Sequence, residues 1–331
     1  MKTKTFKILK RNSFILILAL IFNSCSDDSG NTPQPCLDYN FYGLQIGGNW
    51  SSPTGQIDFI KNTTANLANP GIQVLSSALT SDNLYSNRPA FDRTNETLYF
   101  IDEFNGGQKM YVATPSVIDE INISPSASYG APVYVGNQLY ALEFDASGIY
   151  LCTISATGTA VRQGASIGPN EFYNDTVGNK AYGVASLSGS LLFLVDHQLY
   201  NVSTSGAVLS SIFANTSAGY AMYSDIEIDP ETGGLFLPKS ENGQRSIVHW
   251  DFTSGSVVES TIVSNIDFNP ESVNLAYNNC GDRLLVLSNG TYINNAQENS
   301  TVWELEIPNS PNSGSILNSY SFSDMLLGLV Y

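Results

Sequence analysis

A short apolar run returns six times along this chain: Phe41-Tyr42-Gly43-Leu44, Leu98-Tyr99-Phe100-Ile101, Leu139-Tyr140-Ala141-Leu142, Leu191-Leu192-Phe193-Leu194, Leu235-Phe236-Leu237 and Leu284-Leu285-Val286-Leu287. The intervals lie between 41 and 57 residues, the scale on which repeat architectures are built. From the second onward each run follows a polar turn, at 92–97, 136–138, 188–190, 229–234 and 278–282, and before the turn stands another short apolar stretch. Runs of this length between turn signals read as strands, and a tight turn joining two of them makes the pair antiparallel. A further strand follows, at 110–113, 150–154, 198–202, 246–252 and 301–307, and after it one rich in β-branched residues. Lys, Glu and Ala are sparse and no stretch has an amphipathic helical period, so the chain is expected to be all-β. One repeat holds four strands, A to D.

Four-stranded units of this length resemble the blades of a β-propeller, whose sheets bury one another's faces around a central axis. A two-sheet sandwich is the competing arrangement. The ends of the chain favour the propeller. Residues 42–46, 56–60 and 72–75 supply strands B, C and D of a first blade without its inner strand A. The C-terminal run 323–331 (SDMLLGLVY) has no B strand after it and resembles the A strand that begins Ser224-Asp225-Ile226. That run is expected to complete the first blade, which removes an open sheet edge and gives six blades, with five or seven as alternatives.

The first 24 residues have the anatomy of a secretory signal. Lys2, Lys4, Lys7, Lys10 and Arg11 precede a nine-residue apolar run, Phe14 to Phe22, too short to span a bilayer. Ser24-Cys25 resembles the lipobox of bacterial lipoproteins, which implies that Cys25 is acylated and becomes the new N-terminus. Residues 25–37 then form a tether, and 38–331 the propeller. Cys25-Ser26-Asp27-Asp28 resembles the acidic export signal of Bacteroidota lipoproteins, which implies an outer-membrane, cell-surface location, with the periplasmic leaflet as the alternative. Asp175-Thr176-Val177 fits the Bacteroidota O-glycosylation pattern at Thr176.

From Cys25 onward the chain carries 9 basic and 30 acidic residues, a net charge of −21. Phosphate contacts need Lys and Arg, so nucleic acid is not an expected partner, and the membrane is reached through the lipid alone. Cys36, Cys152 and Cys280 remain after the lipid cysteine, so at most one disulfide forms within the chain. In propellers the A-to-B and C-to-D turns share one face, and the D-to-A and B-to-C connections share the other. Cys36 and Cys280 both fall on the A-to-B face beside the closure, which makes them the candidate pair. Cys152, inside a strand, is expected to be a buried free thiol.

The D-to-A and B-to-C face collects the long connections. They carry Trp50, Tyr85, Phe104, Tyr129, Phe172, Tyr173 and Tyr292, candidate anchors for a protein or sugar unless the rings cap the gaps between blades. Near that face the A strands of blades five, six and one begin with Asp225, Glu271 and Asp324, with Glu227 deeper. Converging carboxylates suit Ca²⁺ and loosely resemble the acidic centres of lactonase and phytase-like propellers. The alternatives are that Arg88, opening the A strand of blade two, pairs with Asp324 across the seam, or that water fills the channel. His197 and His249 have no metal-spacing partner, and His249 beside Trp250 reads as structural. No nucleophile elbow or Gly-rich phosphate loop is present. The expected function is therefore non-catalytic binding of a protein or glycan, as an accessory subunit of an outer-membrane complex for uptake, protein export or barrel assembly. The alternative is a Ca-dependent hydrolase or lactonase-like enzyme.

Overall fold

A computed structural model of the chain describes residues 40–49, 52–63, 71–76, 88–103, 106–170, 181–195, 197–213, 222–252, 254–270, 272–278, 283–289, 300–307 and 314–330. These residues form six antiparallel sheets in chain order. Blade 1 contains β1 (Asn40–Asn49), β2 (Ser52–Thr63) and β3 (Gly71–Ser76); blade 2 contains β4 (Ala90–Asp92), β5 (Thr97–Ile101), β6 (Lys109–Ala113) and β7 (Ile118–Asn122). Blade 3 is β8 (Ser128–Val135), β9 (Gln138–Asp145), β10 (Gly148–Ile154) and β11 (Ala160–Gly168). Blade 4 is β12 (Ala181–Ala185), β13 (Leu191–Val195), β14 (Gln198–Val202) and β15 (Val208–Phe213). In blade 5 the inner strand is split into β16 (Met222–Tyr223) and β17 (Glu227–Ile228), followed by β18 (Leu235–Glu241), β19 (Gln244–Asp251) and β20 (Val258–Ser264). Blade 6 is β21 (Val273–Asn278), β22 (Arg283–Asn289), β23 (Ser300–Glu306) and β24 (Ser315–Phe322), after which β25 (Met325–Val330) pairs with β1 and supplies the inner strand of blade 1. The molecule is a six-bladed β-propeller closed by its C-terminal strand.

The apolar runs are uninterrupted because each B strand is buried on both faces. In β13, Leu191, Phe193 and Val195 face the core shared with blade 3, while Leu192 and Leu194 face the core shared with blade 5. One apolar cluster fills each of the six gaps between blades, and the gap between blades 6 and 1 holds Leu285, Leu287, Leu326 and Leu329. The outermost strands are polar or exposed, as β15 and β24 show. They end the burial at the rim.

Three inner strands depart from regular pairing. In β25 the register shifts against β1 between Tyr42 and Leu44, and Gly328 takes a positive φ of 60° there. In β8 the shift lies between Gly130 and Val133, with Ala131 at φ 50°. In blade 5 the gap between β16 and β17 lies opposite Pro238 of β18. Ser224 N–H donates to the Pro238 carbonyl, 3.2 Å, but a proline returns no N–H, so the ladder breaks there. Such breaks re-aim side chains, and two of them build the axial site.

Candidate functional site

The break opposite Pro238 turns Asp225 into the axis, where it is 1% exposed. Its carboxylate accepts from Ile226 N at 2.8 Å, Leu275 N at 2.6 Å and Asn274 Nδ2 at 3.0 Å. Arg88 completes the set. It begins the inner segment of blade 2 and reaches across to blade 5, three blades round the ring, where Nη1 lies 3.2 Å from Asp225 Oδ2 and Nη2 lies 2.5 Å from Glu227 Oε2. The same Nη1 donates to the Leu275 carbonyl of blade 6 at 3.1 Å. One guanidinium thus ties three blades at the D-to-A end of the channel. Burial opposes its charge, but Glu227 and Asp225 more than offset that, and its pKa is raised. Burial pushes Asp225 up to about 6 even though Arg88 and the Leu275 and Ile226 N–H groups favour its ionised form.

The bulge in β8 frees the Ala131 N–H, which donates to Glu103 Oε1 at 2.6 Å. Glu103 lies in the connection between β5 and β6 and packs over Gly130, where a Cβ would stand 3.0 Å from its carboxylate. Burial, aided by Asp102, pushes Glu103 up to about 8. Tyr182 of β12 is raised as well, by burial and by the charges of Asp225 and Glu103.

Beyond this cluster the inner strands enclose an axial cavity of about 320 Å³ to which all six blades contribute. It runs from Arg88 and Glu227 toward the A-to-B turns, where Arg93 is exposed. Its walls are mainly apolar and aromatic, with Phe91, Val133, Tyr134, Val184, Ile228 and Tyr277 among them.

The residues expected from sequence fall into three groups. Asp225 is placed on the axis as expected, with Glu227, but held by Arg88. Arg88 therefore pairs with Asp225 and Glu227 rather than with Asp324, which accepts from Gln45 Nε2 at 2.6 Å within blade 1. Tyr129 is corrected: it is 1% exposed, its hydroxyl donates to the Pro125 carbonyl at 3.0 Å, and its ring packs between blades 2 and 3. It is core and not a binding surface. Trp50, Tyr85, Phe104, Phe172, Tyr173, Thr176, Glu271 and Tyr292 lie outside the described residues, as do Cys25, Cys36 and Cys280. Cys152 is a buried free thiol whose Sγ donates to Glu143 Oε2 at 3.2 Å. His249 is buried against Asp229, 2.9 Å away, and is structural. Among the described residues no three His, Cys, Asp or Glu side chains are grouped to hold a metal ion. Sequence reasoning missed Glu103 and Arg93.

No protein-family model matches the chain, and no curated protein matches it in sequence. Solved structures do match in shape. TolB from Acinetobacter baumannii superposes with a TM-score of 0.57 at 11% identity, over 88% of this chain and 66% of that one. A protein of unknown function from Bacteroides caccae gives 0.52 at 9% identity, over 88% and 98%. The structure of a nidogen/laminin complex gives 0.53 at 10% identity, over 88% and 97%. The likeness is one of fold. It does not choose an activity, because propellers host many.

Proposed function

We propose that the chain is a lipid-anchored, cell-surface propeller that binds a protein or glycan partner and performs no chemistry of its own. In this reading Cys25 carries the lipid, and the D-to-A and B-to-C face receives the partner within an outer-membrane complex for uptake, protein export or barrel assembly. The observation that carries it is the state of Asp225. The carboxylate a cation would need on the axis already accepts from a guanidinium, an amide side chain and two backbone N–H groups. Ca²⁺ binding needs six to eight oxygens with lone pairs to offer. A carboxylate so occupied joins blades instead.

The test is purification of the acylated chain from native outer membranes in gentle detergent, with partner identification and metal analysis of one eluate. A stoichiometric membrane-protein or glycan partner without bound metal is expected, and Cys25→Ser should move the chain to the soluble fraction. A solitary protein carrying about one Ca²⁺ would instead overturn this reading and put the Ca-dependent hydrolase first.

A further inference from the structure

The chain is strongly acidic, and nearly all cations among the described residues are accounted for. Every lysine and arginine among the described residues lies within salt-bridge distance of a carboxylate, with one exception. The exception is Arg93. It follows β4 at the mouth of the axial cavity and lines it, its guanidinium carbon 5.6 Å from the centre of the Phe91 ring. In so acidic a chain, an arginine that pairs with no carboxylate among the described residues and faces a cavity is placed for a charge that comes from outside.

The rest of the cavity narrows what could bring that charge. At its inner end Arg88 and Glu227 satisfy each other, so their polar capacity is used within the protein. A sugar ring, with a hydroxyl on nearly every carbon, would find few open partners among walls such as Phe91, Val133, Val184 and Ile228. An apolar or aromatic body fits them. A dianion such as a phosphate monoester would meet one unpaired guanidinium in a field of net negative charge, whereas a single carboxylate matches that guanidinium in charge and fork geometry.

We propose that the axial cavity is a binding site for a small organic monocarboxylate with an apolar or aromatic body, held by its body among Phe91, Val133, Tyr134, Val184 and Tyr277 and by its carboxylate at Arg93. The site opens between the A-to-B turns, on the face away from the long loops, so it is separate from the partner surface proposed above.

The experiment uses the full-length chain and two isosteric probes, 3-phenylpropionate and 3-phenylpropionamide, followed by saturation-transfer NMR and titration calorimetry. The acid is expected to bind with a Kd below about 1 mM and the amide about tenfold more weakly, the loss of one charge-assisted pair. Arg93→Ala should weaken the acid by about tenfold and leave the amide unchanged, and Arg93→Glu should abolish acid binding. Arg93 is exposed, so both variants should keep the wild-type melting temperature, measured in parallel. Equal binding of acid and amide would overturn the proposal, as would undiminished acid binding by Arg93→Glu. So would the absence of binding by phenylpropionate, hexanoate and indole-3-acetate at about 5 mM.

Discussion

Arg88 holds one positive charge between two largely buried carboxylates, and the arithmetic of that trio sets its behaviour. Replacing Arg88 with Met leaves Asp225 and Glu227 together without a counter-charge, a defect worth about 3–5 kcal/mol at pH 8. Asp225→Asn leaves Arg88 and Glu227 as a matched pair and should be far milder. Urea unfolding at pH 8 and pH 5 separates the two cases. The Arg88→Met deficit should shrink at pH 5, because Asp225, already displaced upward to about 6, then takes a proton. Glu103 gives a second handle. Its folded pKa lies near 8 against an ordinary 4.5, so its contribution to stability is whole below 4.5 and fades as pH rises through 8. Glu103→Gln should match the wild type in thermal melts at pH 5 and exceed it by roughly 2–5 °C at pH 9. Glu103 did not announce itself in the sequence, and Arg88 did so with the wrong partner. Arg88 was visible as the opening of an inner strand, but the sequence does not say that its side chain crosses the axis to the third blade on. Glu103 depends on an N–H released by a bulge in the neighbouring blade, and only the assembled interface brings the two together.

At the level of strands, the B and C runs were legible because burial on both faces leaves an uninterrupted apolar signature, and every such run is a strand of the expected blade. The short inner strands were harder to read, since bulges break their period. Pro238 was the available clue in blade 5: a proline after Leu235-Phe236-Leu237 cannot complete a central ladder, so the strand beside it had to break. The closing strand rests on a comparable detail. Gly328 has a positive φ, and a Cβ there would lie 2.7 Å from both the Phe100 ring and the Pro89 side chain. Gly328→Ala should therefore destabilise the propeller by about 2–4 kcal/mol through combined backbone strain and overpacking. Denaturant unfolding with the slope retained would verify it, whereas a change below about 0.5 kcal/mol would show that the seam yields easily.

For the whole molecule, six closed gaps make the ring a rigid frame on which the two faces differ. One face presents the long connections. The other presents the mouth of a cavity with an unpaired arginine. The blade count was legible from the spacing of the apolar runs and from the missing first A strand, but the cavity was not, because its wall takes one or a few residues from each blade. The closure has a consequence in time. Gln45 and Asp324, bonded across the seam, stand 279 residues apart, whereas blades 2 to 6 are built from hairpins of adjacent strands. Wherever folding takes place, the first blade cannot be completed until the last strand of the chain has been released to it. Until then the apolar side chains that β25 covers stay open, and any partly folded ring has two unmatched ends.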